Sequence, residues 1–224
     1  TARSLTFATD GYVIDSSVPA TNRLSLSSGG SGGPGAGTID VSLAGATATI
    51  AAQLTGTTNL VKVGAGTLAF TGDHDHKGGT LVSDGTLDLS AGMLYQTGGW
   101  QNYAVRVENG AAIEVGGWAD GDILGIGRVA FAAGNLVIDG GTIRYTGSTT
   151  TGRPDRGFTI GANGATMEAE GANTWLLDKG RNFGIASGAG GRLTLGGSAT
   201  GTMTMDLGGT GGLTKTGSGT WTVS

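Results

Sequence analysis

The sequence contains no cysteine among its 224 residues, which excludes a disulfide framework and any thiolate chemistry. Proline is scarce as well, at three residues, so the 47 glycines cannot belong to a collagen-like chain. Charged residues make up only 13% of the chain and hydrophobic residues 38%, whereas disordered chains combine high charge with low hydrophobicity. The composition therefore predicts a folded chain with a buried core.

Clusters of positive charge and long apolar runs are also missing. The net charge is −4 and no basic cluster occurs, so nucleic acid is excluded as a partner and an anionic membrane surface is disfavoured. No stretch approaches the run of about 18 apolar residues that a membrane span needs. The chain opens on "TARSLTF", with neither Met nor a signal peptide, and we expect it to be a piece of a longer protein.

Short alternations of apolar and polar residues recur along the whole chain. Examples are Leu5–Phe7, Ile39–Leu43, Leu87–Leu89, Ile143–Tyr145, Phe158–Ile160, Leu193–Leu195 and Met203–Leu207. This period of two is typical of half-buried β-strands, and the Gly, Asn, Asp and Ser residues between the runs favour turns. The nearest approach to a helical segment is 127–135, which contains Gly127 and Gly134. The pattern predicts an all-β fold.

The dipeptide Gly-Thr followed by an apolar residue recurs from one end of the chain to the other. It begins at Gly37, Gly66, Gly79, Gly85, Gly141, Gly201 and Gly219. A recurrent strand entry favours a β-solenoid, in which every coil needs the same turn, over a pair of sandwiches. The irregular spacing predicts coils of unequal length. With about 20–25 residues per coil, about ten coils would form a rod roughly 50 Å long.

A longer phrase appears twice, as "NLVKVGAGTLAFTG" at 59–72 and "GGLTKTGSGTWTVS" at 211–224. With "DHDHKGGTLVSDGTLDLS" at 73–90 added, the first copy resembles the autotransporter-associated β-strand repeat, also called the passenger-associated transport repeat. The residues at the positions of that repeat are Leu60, Lys62, Gly64, Gly66, Thr67, Leu68, Gly72, Gly78, Gly79, Thr80, Gly85, Thr86 and Leu87. The sequence "DHDHK" departs from the usual Asn-Thr-Tyr-like link.

This resemblance implies a right-handed parallel β-helix in a passenger secreted by, or displayed on, a Gram-negative-type bacterium. We interpret 1–224 as a single β-helix segment of a longer solenoid. It contains one repeat unit at 59–90 and a partial second unit at 212–224. The partners implied are neighbouring coils of the same parent protein and, as a further possibility, a glycan or cell-surface ligand. A solenoid cut between coils leaves unpaired backbone groups, so end-to-end self-association is also expected.

Side-chain directions within the repeat follow as further expectations. We expect four leucines to point into the core, namely Leu60, Leu68, Leu81 and Leu87. Lys62 is expected at the surface, since ammonium groups are almost never fully buried without a partner. Trp221 occupies the position of Leu68 in the second copy and is therefore expected in the core.

The densest set of metal-ligating residues is Asp73-His74-Asp75-His76, which contains both histidines of the chain. Alternate residues of an extended segment share a face, so His74 and His76 could chelate a metal together, with Asp73 and Asp75 as further candidates. The alternative is a solvated polar loop, which we favour because no distant ligand pair is evident.

Two other motifs suggest chemistry only weakly. "GIGRVA" at 125–130 matches the dinucleotide-binding fingerprint, but Gly134 interrupts the helix that the fingerprint requires and Asp139 comes too early. No cofactor is therefore expected. "RPDRG" at 153–157 gathers Arg153, Asp155 and Arg156, which an acidic-sugar lyase could use or which could form an exposed, internally paired turn. Neither paired carboxylates nor a Ser-His-Asp order is evident.

Aromatic residues provide the remaining candidate site. Trp100, Tyr103 and Trp118 fall within about one coil of each other, and aromatic rings stack on sugars and anchor interfaces. The alternative is that they fill the core. Taken together, the sequence predicts a non-catalytic structural and adhesive module that acts as a rigid stalk or display scaffold and aids export. The alternative is a carbohydrate-active β-helix, either a lyase or hydrolase or a glycan-binding module.

Overall fold

The computed structural model describes residues 1–16, 23–27, 36–94, 105–118, 125–126, 133–148, 157–178, 185–187, 190–208 and 210–224. Strands in the first half, in chain order, are β1 Ser4–Phe7, β2 Tyr12–Ile14, β3 Arg23–Ser25, β4 Ala36–Val41, β5 Thr47–Ile50, β6 Gln53–Gly56, β7 Asn59–Val63, β8 Thr67–Phe70, β9 Asp73–His76, β10 Thr80–Val82, β11 Thr86–Leu89 and β12 Met93–Leu94. Those of the second half are β13 Val105–Glu108, β14 Ala112–Val115, β15 Leu136–Asp139, β16 Gly141–Tyr145, β17 Phe158–Ile160, β18 Ala165–Ala169, β19 Trp175–Leu177, β20 Ile185–Ser187, β21 Leu193–Gly197, β22 Thr200–Met203, β23 Leu213–Lys215 and β24 Thr220–Val223.

These strands form three faces, two of which are long continuous sheets. The first face stacks eight strands in the order β1-β4-β7-β10-β13-β15-β17-β20. The second face stacks nine, in the order β2-β5-β8-β11-β14-β16-β18-β21-β23. The third face consists of two shorter sheets, β3-β6-β9-β12 and β19-β22-β24. Consecutive strands of the chain lie on successive faces, and the strands within each face pair in parallel. Each set of strands that passes once around the faces is therefore one coil of a parallel β-helix.

The predicted all-β parallel solenoid is therefore confirmed. Nine strands on the second face correspond to eight spacings of about 4.8 Å, or about 38 Å of axial length. Within the described residues, the only helical element is the 3₁₀ turn Ala133–Asn135, at the end of the weak helical candidate. No helix in the described ranges is long and apolar enough to cross a bilayer.

Strict alternation of side chains builds the core inside the coils. In β4, β5 and β11 every second residue is buried, and the intervening residues are half-buried or exposed on the outer surface. Parallel pairing in register stacks the buried apolar side chains of successive coils on one another. Leu87 lies over Leu68, and Leu68 lies over Ala48. Burial of β-branched and leucine side chains in such stacks is the main stabilising contribution that the sequence makes to this fold.

Two expected side-chain directions are wrong, and strand register explains both. Lys62 is fully buried, because β7 alternates and Leu60 two residues earlier points inward. Leu81 is only half-buried and faces outward, because β10 pairs Leu81 with the outward-facing Val61. Leu60, Leu68 and Leu87 are fully buried as predicted. The half-buried Trp221 packs against the core.

Glycine is required where the corners of successive coils stack. Gly64 has φ of +78° and follows β7. Gly85 has φ of +62° and precedes β11. A Cβ on Gly85 would lie 2.4 Å from the carbonyl oxygens of Gly64 and Gly66 in the coil below. Glycine therefore serves two purposes at these corners, namely the left-handed backbone and the close approach of one turn to the next.

Candidate functional site

Polar groups in the core are concentrated in the repeat unit. The buried polar or charged residues of the described chain are Ser16, Thr58, Lys62, His74, His76 and Thr80. All but Ser16 lie between residues 58 and 80, on or beside β7, β9 and β10. This set, Thr58, Lys62, His74, His76 and Thr80, is here called the polar layer. Apolar side chains enclose it on both sides along the axis, including Leu54 below and Leu94 above.

Lys62 occupies the corner between the first and second faces. Its ammonium group donates hydrogen bonds to the carbonyl oxygens of Val63 at 3.0 Å and Gly64 at 2.6 Å in its own coil. A third bond, of 3.0 Å, reaches the carbonyl oxygen of Asp84 in the next coil. Burial lowers the pKa of Lys62 to about 8, and the charges of Asp84 and Asp40 oppose that shift. The group therefore remains charged near neutral pH and ties two corners together.

The second copy of the repeat reproduces this corner at another edge of the helix. Lys215 donates to the carbonyl oxygens of Thr216 and of Gly217, the latter at 2.9 Å, and Gly217 has φ of +70°. Here, however, the corner joins β23 of the second face to β24 of the third face. The phrase Lys-x-Gly-x-Gly-Thr thus specifies a corner between two strands, whichever faces the corner connects.

The two histidines point into the core from the third face. His74 and His76 are both fully buried on the inner side of β9. The Nδ1 atom of His74 accepts a hydrogen bond from the backbone N–H of Leu54 at 3.1 Å, and its ring stacks on Phe70 with centroids 4.0 Å apart. His76 Nε2 lies 2.8 Å from Thr80 Oγ1. His74 Nε2 and His76 Nδ1 have no hydrogen-bond partner.

Burial keeps both imidazoles neutral. It lowers the pKa of His74 to about 3, with a further lowering from His76. It lowers the pKa of His76 to about 4, against a small opposing effect of the Asp75 charge. The buried polar residues of the described chain include no carboxylate that could stabilise the charged form.

The four predicted metal ligands are not brought together. Alternation places His74 and His76 inside the helix, whereas Asp73 is exposed and Asp75 half-buried on the outer side of β9. Asp75 pairs there with Lys77. Among the described residues no group of three or more His, Cys, Asp or Glu side chains is placed to hold a metal ion. From the described part of the chain, a metal at this position would have only the two imidazoles as ligands of these types.

Trp118 is a core residue and not an exposed platform. Its exposed fraction is 2%, and its ring meets that of Trp175 edge-on with centroids 5.2 Å apart. The ring of Tyr145 stacks on that of Trp175 with centroids 5.6 Å apart. The ring of Trp221 also contacts Trp175, with centroids 5.9 Å apart. The three tryptophans and the tyrosine therefore form an aromatic column inside the C-terminal half. Trp100 and Tyr103, the other predicted platform residues, lie outside the described residues.

Outward-facing charges form ion pairs across neighbouring coils. Arg144 on β16 donates to Glu114 on β14 at 2.6 Å and to Glu168 on β18 at 2.9 Å. On the first face, Arg106 bridges Glu108 and Asp139 at 2.6 and 2.7 Å. These pairs neutralise charges that stack one strand apart.

The motifs that suggest enzymatic chemistry lie largely outside the described residues. Arg153, Asp155 and Arg156 lie outside the described residues, as do 127–130 of the fingerprint-like segment. The 3₁₀ turn that follows this segment is too short to serve as the helix of a dinucleotide site. The sequence-based expectation that Lys62 lies at the surface is wrong, and strict alternation from Leu60 is the signal that predicts its inward direction.

Comparisons with known proteins match the repeat in sequence. The family model described as passenger-associated-transport-repeat matches residues 60–89 and 213–224. The chain is also 33% identical over 232 aligned residues to the adhesin BmaC autotransporter of Brucella suis biovar 1. That alignment covers 94% of this chain and 6% of the adhesin. No solved structure matches.

The fold defines this molecule as a parallel β-solenoid. Two of its segments match the passenger-associated-transport-repeat, and most of the chain is similar to part of an autotransporter adhesin. The chain spans 6% of the length of the adhesin it matches.

Proposed function

We propose that this chain is a non-catalytic β-helix segment of a bacterial surface adhesin, which serves as a rigid spacer and display scaffold. Its coils would fold one upon another outside the cell and so assist export of the passenger. The observation that supports this role most strongly is the continuous core beneath nine stacked strands, together with similarity to an autotransporter adhesin along nearly the whole chain.

Physical properties of the solenoid suit such a spacer. Each coil buries its apolar side against its neighbours, so a coil is stable only once the preceding coil has formed. Outward charges are paired across coils by Arg106 and Arg144, which stiffens the surface without creating a patch of one sign. The absence of cysteine avoids premature cross-links during export.

A display experiment tests the export role. The chain would be inserted in a surface-displayed passenger that carries an epitope tag at its outer end, and the epitope would be counted on intact cells by flow cytometry. Ile138→Asp places a charge in the core and should reduce the surface epitope several-fold, because the coil of β15 can no longer form. The control is Val137→Asp on the neighbouring, outward-facing residue of the same strand, which should display like the wild type.

Equal display of the two variants would contradict a contribution of coil folding to export. The non-catalytic part of the proposal has its own test. Incubation of the chain with pectins, alginates and other glycans should release neither reducing ends nor unsaturated products. Turnover that is lost on replacing Arg153, Asp155 or Arg156 would show an enzyme instead and would favour the alternative of a lyase or hydrolase.

A further inference from the structure

The turn that stacks on the Lys62 corner brings a carboxyl group and a backbone nitrogen into contact. Asp84 is exposed, and its Oδ1 atom accepts a hydrogen bond of 2.8 Å from the backbone N–H of Gly85, the next residue. Gly85 has φ of +62° and no side chain that would hinder a closer approach. The turn therefore holds the Gly85 nitrogen where it can attack the Asp84 carboxyl group and close a five-membered ring.

The contact with Lys62 makes the same nitrogen more reactive. The Lys62 ammonium donates a hydrogen bond of 3.0 Å to the carbonyl oxygen of Asp84, which belongs to the same peptide group as the Gly85 nitrogen. Loss of the amide proton spreads negative charge over that peptide group, and a cation at its oxygen stabilises the charge. The corner thus supplies both the position and the electrostatic support for attack.

We propose that Asp84 is a site of spontaneous covalent modification, namely isomerisation to isoaspartate through a cyclic succinimide. The Gly85 nitrogen loses its proton and bonds to the side-chain carboxyl carbon of Asp84, and the hydroxyl group of that carboxylic acid leaves as water. A water molecule then adds to one of the two ring carbonyls and breaks its bond to nitrogen. Opening at the original main-chain carbonyl gives isoaspartate, and opening at the other restores aspartate. One water is released and one is consumed, so no other reagent takes part.

The other Asp-Gly and Asn-Gly dipeptides of the described chain have their glycine N–H groups engaged elsewhere. These dipeptides begin at Asp10, Asn109, Asp139 and Asn163. Their glycine N–H groups donate to backbone carbonyl oxygens, in the same order those of Thr47 at 3.0 Å, Gly140 at 2.8 Å, Gly164 at 2.7 Å and Gly161 at 3.1 Å. Backbone hydrogen bonds therefore hold these four nitrogens away from the neighbouring side chain.

The side chains of the two other aspartates are held as well. Asp10 accepts a hydrogen bond from the backbone N–H of Thr47 at 2.7 Å, and Asp139 accepts one from Arg106 at 2.7 Å. Asp15 does contact the N–H of the next residue, Ser16, at 2.6 Å, but the serine side chain hinders ring closure there. Asp84-Gly85 is thus the pair in the described chain that combines the contact with an unhindered nitrogen.

Isomerisation would change the corner that Lys62 stabilises. Isoaspartate adds one carbon to the main chain between β10 and β11, and the carbonyl that accepts from Lys62 becomes part of a carboxylate on a side branch. The backbone bonds that follow the turn, from Thr86 to Gly66 and from Ala112 to Gly85, would have to adjust. Amide exchange in β10 and β11 should therefore become faster as the chain ages, while β18 and β21, several coils away, keep their rate.

Ageing of the folded chain tests the proposal. The chain would be kept at neutral pH for several weeks and digested, and isoaspartate at each site would be measured by mass spectrometry with electron-transfer fragmentation. It should form at least about tenfold faster at Asp84 than at Asp10 or Asp139, because only Asp84 has the reacting groups in contact. In urea the three rates should converge, with that of Asp84 lowered. Equal rates in the folded chain, or a faster reaction of Asp84 in urea, would overturn the proposal.

Two variants compare the position with the natural asparagines. The amide introduced by Asp84→Asn should be lost, as ammonia, at least about tenfold faster than the amides of Asn109 and Asn163 in the same molecule. Asp84→Glu is the matched control and should form no isomer, because its longer side chain would have to close a six-membered ring. Both changes lie on an exposed side chain, so unchanged melting temperatures are expected and check that the variants are folded. Loss of the Asn109 or Asn163 amide as fast as that at position 84 would also overturn the proposal.

Discussion

At the scale of single residues, direction into or out of the coil decides what a side chain contributes. Leu68 and Leu81 are both leucines of the repeat, yet Leu68 is fully buried and Leu81 faces outward. Leu68→Ala should lower the free energy of unfolding by about 2–5 kcal/mol, because it leaves a cavity in a packed core. Leu81→Ala should lower it by less than about 1 kcal/mol. Urea unfolding of both variants measures the difference, and equal losses would show that the register of β10 is wrong.

Because both histidines are buried in the neutral form, we expect the free energy of unfolding to decrease in acid. Their pKa values of about 3 and about 4 lie below the ordinary value of 6.5, so the unfolded chain binds more protons than the folded one between these limits. The stabilisation that comes from keeping the imidazoles neutral is fully present above about pH 6.5. It is lost as the pH falls towards the folded-state pKa values of about 4 and about 3. Between pH 7 and pH 5 the two groups together should remove about 4 kcal/mol of stability.

A double variant isolates this effect from the titration of surface carboxylates. His74→Leu combined with His76→Leu removes both buried imidazoles and leaves the outer face of β9 unchanged. Urea unfolding at pH 5, 6 and 7 should show a steep loss of stability in the wild type and a much shallower one in the variant. Parallel pH profiles would mean that the two histidines are not buried in the neutral form.

At the scale of the element, the corner turn is the unit that recurs. Gly64 and Gly45 both have left-handed backbone, with φ of +78° and +80°. A Cβ on Gly64 would lie 2.4 Å from the carbonyl oxygen of Val41, whereas a Cβ on Gly45 would meet nothing within 4 Å. Gly45→Ala should therefore cost only about 1–2 kcal/mol for the left-handed conformation. Gly64→Ala should cost clearly more, because two coils must also separate.

Thermal unfolding of the two glycine variants measures this comparison directly. The difference between their melting temperatures reports the close stacking of corners, since the backbone strain is common to both. If the two midpoints fall equally, the corners are further apart than the structure places them.

At the scale of the whole molecule, each coil contacts its neighbours and few other parts of the chain. Ile143 is fully buried and lies in register between Ile113 and Met167. Ile143→Ala should increase amide exchange in β14, β16 and β18, and should leave β4 and β5, four coils away, near the wild-type rate. Hydrogen exchange read by mass spectrometry provides the measurement. A uniform increase along the chain would show one cooperative unit instead of a row of coupled coils.

Local sequence patterns predict much of this architecture. Alternation with a period of two predicts strands, and the repeated Gly-Thr-apolar entries predict a solenoid, because each coil repeats the same local conformation. The passenger repeat at 59–90 is recognisable for the same reason, since Lys62, Gly64 and Gly66 form a corner from a few adjacent residues. Such features depend on neighbours along the chain, and the sequence lists those neighbours directly.

Strand register and burial could be decided only by the folded molecule. Lys62 was expected outside because an isolated ammonium is costly to bury, but the Asp84 carbonyl of the next coil, 22 residues away, completes its hydrogen bonds. Leu81 was expected inside because it is apolar, but pairing with Val61 turns it outward. For Trp118 the sequence left both a ligand platform and a core position open, and contact with Trp175, from a later coil, places it in the core. In each case the partner is distant in sequence, so only the stacking of coils brings it into contact.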